Sequence, residues 1–238
     1  MGRAFEYRKA RMFKRWGNMS KTFTRISKEI IISVKASGPD PASNSRLRVL
    51  MQNAKAANMP KDTIERSIKK AMGKDQADIK EHIYEGYGPH GIAVLVETAT
   101  DNSVRTVSNV RSYFTRSGGA LATSGSVSFL FEHKCMFKVH TKPGIDIEEL
   151  ELEMIDSGAQ EVFAEAENII ISGEFEDFGT IQKYLDDNHF EIISAEFEWI
   201  PTQSKELSES EVAEVEKLLG KLEEDDDVTN VFHNMVSQ

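Results

Sequence analysis

The chain has 238 residues, 39% hydrophobic and 29% charged, with a formal net charge of −10. That length supplies a proper core and, at ~100–200 residues per domain, two or three small domains; the single cysteine excludes an internal disulfide and fits a reducing compartment. No apolar run approaches the ~20 residues that span a bilayer and the N-terminus has no apolar signal-peptide core, so the expected location is the cytoplasm, with no membrane partner.

The charge is split along the chain. Residues 1–74 carry 18 Lys+Arg against 5 Asp+Glu, a net of +13, and residues 75–238 carry 11 against 34, a net of −23. A chain of low pI that keeps its positive charge in its first third is expected to present that third to a polyanion. Residues 3–16 interleave basic side chains with Phe5, Tyr7, Phe13 and Trp16. Such a leader suits backbone phosphates plus stacking on unpaired bases, and equally suits packing of its aromatics on a helical bundle.

Residues 21–36 have helical period, with Phe23, Ile26, Ile30 and Val34 on one side and Lys21, Arg25, Lys28 and Lys35 opposite. Gly38-Pro39-Asp40-Pro41 ends that helix. A second, capped by Asn44 or Ser45, has the stripe Leu47, Leu50, Met51 and Ala54, flanked by Arg46, Arg48 and Lys55. After the break at Asn58-Met59-Pro60, a third helix is expected to bury Ile64, Ile68, Ala71 and Met72 and to expose Arg66, Lys69 and Lys70. Gly73 stops it. Helices this short are marginal alone and must pack together. Their Lys and Arg could merely solvate a bundle, but a field of one sign costs self-repulsion and serves to attract something.

Residues 75–81 read as a polar linker. Gly86, Gly88 and Gly91 match G-x-G-x-x-G formally, but the dinucleotide fingerprint needs a strand before the glycines and a helix after them. Here they lead into a strand at 92–98, so 84–91 reads as a turn. A helix through Val104, Val107, Val110, Tyr113 and Phe114 and a strand at 126–131 complete a β–α–β. The acidic stretch after it reads as strand 136–140, helix 147–155, strands 161–164 and 169–171, helix 178–185 and strand 192–200, the split βαββαβ plan. A linker at 201–208, a helix at 209–222, the acidic run 223–227 and a strand at 228–232 close the chain.

The expected fold class is therefore α+β: an N-terminal three-helix basic domain plus two ferredoxin-like (βαββαβ) α/β domains, one inserted into the other. The expected domains are 1–78 (leader and helices), 79–132 with 201–238 (discontinuous), and 133–200 (inserted, acidic).

Cys135 and His133 would share a strand face, but a zinc site wants four ligands and a nucleophilic cysteine wants a base and an orienting group. The other histidines show no ligand spacing, and there is no P-loop or Ser/His/Asp signature. The acidic run 223–227 is a solvated loop, a decoy that repels nucleic acid, or a weak cation binder. No cofactor, metal or small-molecule substrate is expected, and the chain reads as a binder rather than an enzyme.

Several motifs carry a family resemblance: Asn44-x-Arg-Leu-Arg48, Ala54-Lys-Ala-Ala-Asn-Met-Pro-Lys-Asp62, Ile64-Glu-Arg-x-Ile-Lys-Lys70, Tyr84-Glu-Gly-Tyr-Gly-Pro89, Gly125-Ser-Val127 and Leu222-Glu-Glu-Asp-Asp-Asp-Val228. With Glu198-Trp-x-Pro201 and Val231-x-His-Asn234 they span nearly the whole chain, which resembles the YebC/PmpR family. The start departs from that family's usual Gly-His-Ser-Lys-Trp-Ala-Asn-Ile, reading Gly2-Arg-Ala-Phe-Glu-Tyr-Arg-Lys9. The resemblance implies a helical domain followed by two α/β domains, one inserted in the other. It also implies a cytoplasmic DNA-binding transcriptional regulator or, as in some members, a translation factor at the ribosome.

The residues expected to meet nucleic acid are Lys9, Arg11, Lys14, Arg15 and Trp16 in the leader, and Lys21, Arg25, Lys28, Arg46, Arg48, Lys55, Arg66, Lys69 and Lys70 in the helices. The partner would be DNA, or ribosomal RNA and the ribosome. A rival reading docks the basic bundle on an acidic protein surface.

Overall fold

The computed structural model describes residues 19–73 and 78–237; Lys9, Arg11, Lys14, Arg15 and Trp16 lie outside them, as do 75–77 of the expected linker. Three helices come first: α1 Met19–Ser37, α2 Ser45–Ala56 and α3 Lys61–Met72. Asn44 caps α2, its side-chain oxygen accepting from the Leu47 N–H at 2.9 Å. Its amide donates to Ser33 O and Gly38 O, so the same residue ties the start of α2 to the end of α1. Ile26, Ile30, Val34, Leu47, Leu50 and Ile64 meet in the core between the three helices. Met72, expected inside, is exposed. At ~100° per residue it lies about 80° around the helix from Ile64, at the margin of the stripe.

The second unit begins with β1 Lys80–Tyr87 and β2 Ala93–Thr100, joined by a 3₁₀ turn at Pro89–Gly91. Then come α4 Ser103–Arg116 and a two-residue β3, Ala120–Leu121. The inserted unit follows as β4 Phe131–His140, α5 Ile147–Ile155, β5 Ala159–Glu165, β6 Asn168–Glu174, α6 Phe178–Asp187 and β7 Ile192–Pro201. The chain returns through β8 Lys205–Leu207, α7 Glu209–Glu224, β9 Val228–His233 and β10 Met235–Ser237.

Both four-stranded sheets are antiparallel, and they share one spatial plan. The inserted sheet runs β5-β6-β4-β7, which is 2-3-1-4 in its own strand order and so the ferredoxin-like arrangement. The outer sheet runs β3-β1-β2-β9. It has the same layout if β2, β3, β1 and β9 are taken as first to fourth, so its third strand comes from ahead of its first. One sheet thus contains strands from both sides of the insertion.

Three local readings are corrected. Residues 84–91 are not all turn: β1 pairs with β2 over eight residues, from Lys80↔Thr100 to Tyr87↔Ala93. Residues 126–131 are not a strand, because the Glu85 carboxylate takes the backbone N–H groups of Gly125, Val127 and Ser128 at 2.6–2.9 Å. An amide spent on a side chain cannot join a ladder, and Phe131 instead opens β4. The expected linker 201–208 contains β8, which pairs in parallel with β10.

Gly86, the first glycine of the formal fingerprint, has a packing role. A Cβ on Gly86 would lie 2.6 Å from the Phe114 ring and 2.8 Å from the Ala120 carbonyl. Gly86 therefore lets α4 and β3 close on β1.

Candidate nucleic-acid interface

The nine candidate residues within the described part of the chain separate into two groups. Lys28 is the clearest of the first. Its ammonium donates to Ala99 O at 2.9 Å, Asp226 O at 2.6 Å and Asp227 Oδ1 at 3.1 Å. Only 18% of its side chain is exposed, so it has no donor to spare for a phosphate. The other Asp227 oxygen accepts from Arg105 Nη2 at 2.7 Å, Thr106 Oγ1 at 2.9 Å and Thr100 Oγ1 at 3.1 Å. Burial works against this carboxylate, but the hydrogen bonds from Arg105, Lys28 and Thr106 outweigh it and hold its pKa at about 2. The acidic run is thus partly a joint between helical and outer units, not only a solvated loop.

Four more of the basic residues lie on the same side. Lys21 Nζ is 3.5 Å from the Glu223 carbonyl. Arg25 is half-buried beside Glu29. Arg46 pairs with Glu81 at 2.6 Å and Arg48 with Asp186 at 3.3 Å. The last two pairs are about 40% exposed, where an ion pair is worth only ~0–1 kcal/mol, and can be exchanged for other anions. These five residues therefore face the acidic units of their own chain.

The second group faces water. Lys55, at the end of α2, and Arg66, Lys69 and Lys70, on α3, are all exposed. Arg66, Lys69 and Lys70 stand at i, i+3 and i+4 and share one face. Arg66 is steadied by bonds to Asp62 O at 3.2 Å and Thr63 Oγ1 at 3.1 Å. Lys55, Lys69 and Lys70 make no ion pair among the described residues. The last turn of a helix favours such cations. Along the axis, Arg66 to Lys70 spans about 6 Å, comparable to the rise between alternate phosphates of one strand of duplex. Lys61, in the first turn of α3, was not among the expected contacts; it is 88% exposed and pairs with Glu65 at 3.7 Å.

Nothing in the local residue pattern marks the residues that dock the helices. Val49 of α2 is buried in the core of the inserted unit. Asn53 makes two bonds to the Ala195 backbone, donating to its carbonyl at 2.7 Å and accepting from its N–H at 3.0 Å. Neither residue type announces an interface from its neighbours in sequence. Cys135 is buried in the same core and burial pushes its thiol up to about 11, which leaves it unreactive at neutral pH. Among the described residues no cluster of His, Cys, Asp and Glu could hold a metal, and no helix is long and apolar enough to cross a membrane.

Family models match both parts of the chain: the TACO1/YebC protein N-terminal domain over residues 3–74, and the TACO1/YebC second and third domain over 79–235. A protein from Parabacteroides distasonis named "Probable transcriptional regulatory protein" is 58% identical over 235 residues, covering 99% of this chain and 97% of its own. A protein of the same name from Flavobacterium johnsoniae is also 58% identical, covering 99% of both. The crystal structure of a conserved hypothetical protein, Aq1575, from Aquifex aeolicus superposes with a TM-score of 0.77 at 39% identity, over 92% of this chain and 90% of that one. On matches of this extent, spanning the helices and both sheets, the chain belongs to the TACO1/YebC family.

Proposed function

We propose that this protein is a non-enzymatic, cytoplasmic nucleic-acid-binding regulator of transcription that grips phosphates with its N-terminal helices. The observation that carries the reading is the exposed row Arg66, Lys69 and Lys70, with Lys55 likewise exposed at the end of α2, in a chain whose remaining units are strongly acidic. The leader residues Lys9, Arg11, Lys14, Arg15 and Trp16 would extend that surface. Residues 1–78 act as the binding domain; 79–132 with 201–238, and 133–200, act as acidic units that the polyanion repels. Phosphate contacts position a protein without reading sequence, and the first turn of α3 offers Lys61 and Asp62 rather than a base-reading set. The binding proposed is accordingly sequence-tolerant. Ribosomal RNA would meet the same surface on the same terms, which makes a translation factor the second reading.

The test is fluorescence anisotropy on duplex DNA and single-stranded RNA across a salt series. Lys69→Glu with Lys70→Glu weakens binding to every sequence and lowers the log–log salt slope by about 2. Unchanged binding by the double variant removes α3 from the interface. Crosslinking in growing cells then separates the two readings: reads at promoters support a transcriptional regulator, and reads on ribosomal RNA support a translation factor.

A further inference from the structure

Where the helical, outer and inserted units meet, they line a partly open cavity of about 420 Å³, within the ~300–1,000 Å³ range of small-ligand pockets. One wall is a column of rings. Trp199 and His133 stack with centroids 4.2 Å apart and planes 2° apart, and His133 and Phe175 stack at 4.2 Å and 14°. Trp199 is held at the inner end by a hydrogen bond from its Nε1 to Glu97 at 2.9 Å. Phe197 packs against the outer ring at 4.8 Å, its plane tilted by 55°. The outer ring, Phe175, borders the cavity and is 41% exposed. Burial keeps His133 below its usual pKa, so the column is neutral at neutral pH.

The opposite wall is polar and carries both signs. Glu29 of α1 is half-buried there, and among the described residues its carboxyl makes no hydrogen bond. Burial pushes its pKa up from the ordinary carboxylate value. Arg25 and Arg46 also line the cavity, and their charges act on Glu29, as do the like charges of Glu97 and Glu196. A phosphate would be repelled by the carboxylates and an amine by the guanidiniums. A neutral planar ring with donors and acceptors on its edge is repelled by neither.

We infer that this cavity takes an unpaired nucleobase, stacked on Phe175 as the next ring of the Trp199–His133–Phe175 column and hydrogen-bonded along its edge to Glu29 and Arg46. The inference deepens the function proposed above, adding to phosphate contacts a subsite for a single-stranded base. Such stacking tolerates any base because every base has a π-face, while an acidic edge partner adds preference. α2 of the proposed binding domain lines the cavity through Asn53 and Ala56.

Ligand-observed saturation-transfer NMR on the full chain, with guanosine, adenosine, cytidine and uridine as probes, tests the site without the basic face. Wild type saturates at least one nucleoside, and Phe175→Ala, a partly exposed position, abolishes the transfer. Glu29→Gln alters the order of preference among the four. On a short single-stranded oligonucleotide, Phe175→Ala costs about 10-fold or more in affinity and leaves the salt slope unchanged. No saturation by wild type, or equal saturation by Phe175→Ala, overturns the inference. If Lys69→Glu/Lys70→Glu leaves nucleoside contact intact while oligonucleotide binding is lost, both proposals stand. A wild type that takes nucleosides but no oligonucleotide overturns the phosphate-binding function and leaves the base site standing.

Discussion

Lys28 and Asp227 illustrate how a basic residue on a helix can be diverted from solvent. The pair joins α1 to the outer unit, and only 9% of the Asp227 side chain is exposed. Its pKa of about 2 lies below the ordinary 3.8, so the folded state favours the ionised carboxylate. That preference stabilises the fold above about pH 4 and is lost as pH falls from about 4 to about 2. At ~1.36 kcal/mol per pKa unit it amounts to roughly 2 kcal/mol. Lys28→Met removes one of the hydrogen bonds that hold the carboxylate ionised. The expected result is a loss of about 1–2 kcal/mol in urea unfolding at pH 7 and a smaller loss at pH 2.5, where Asp227 is increasingly protonated. A difference that is the same at both pH values would show that the Lys28–Asp227 bond does not carry the effect.

At the scale of elements, the segment between β3 and β4 is set by one buried acid. Glu85 sits on β1 and spends both carboxylate oxygens on the amides of Gly125, Val127 and Ser128. Burial opposes its charge, but these three hydrogen bonds more than compensate and lower its pKa. Tyr87 adds a bond from its hydroxyl to Ser126 O at 3.0 Å. Glu85→Ala frees three amides at once, and at ~1–3 kcal/mol for a lost charged or buried partner the expected destabilisation is about 2–3 kcal/mol. Hydrogen exchange at those amides should rise while exchange in β5 and β6 stays as in wild type. Protection that survives the substitution would mean that packing of Val127 and Phe131 against Leu95 holds the segment instead.

Over the whole molecule, the helical unit is held by a few points of contact. Val49 enters the core of the inserted unit, Asn53 bonds the edge of β7, Lys28 reaches the outer unit, and Arg46 and Arg48 add exposed pairs. Burial of one valine is worth ~1.5–3 kcal/mol, so docking rests largely on Val49 and the Asn53 bonds. Val49→Asp with Asn53→Ala should free the helices without unfolding either sheet. Small-angle scattering would then give a larger radius of gyration, with sheet content by circular dichroism unchanged. A radius equal to wild type would mean that Lys28 and its partners suffice.

Much of this architecture was legible in residue pattern. The 3.6-residue stripes of α1, α2 and α3 and the βαββαβ order of the acidic stretch follow from local apolar spacing and breakers, because each element must bury one face. The charge split likewise needs only a count. The strand β1, the broken segment at 126–130 and the diversion of Lys28 were not legible. Each depends on a partner far along the chain: β2 for the ladder of β1, Glu85 for the amides of Gly125 to Ser128, and Asp227 for Lys28, 199 residues away. Residue order alone settles which positions are able to be basic, buried or strand-forming, since those are properties of side chains and their near neighbours. Which cations remain free for a polyanion is settled only on folding. That depends on which carboxylates the fold brings within a few ångströms of each ammonium or guanidinium, and electrostatic attraction at that range does not depend on distance along the chain.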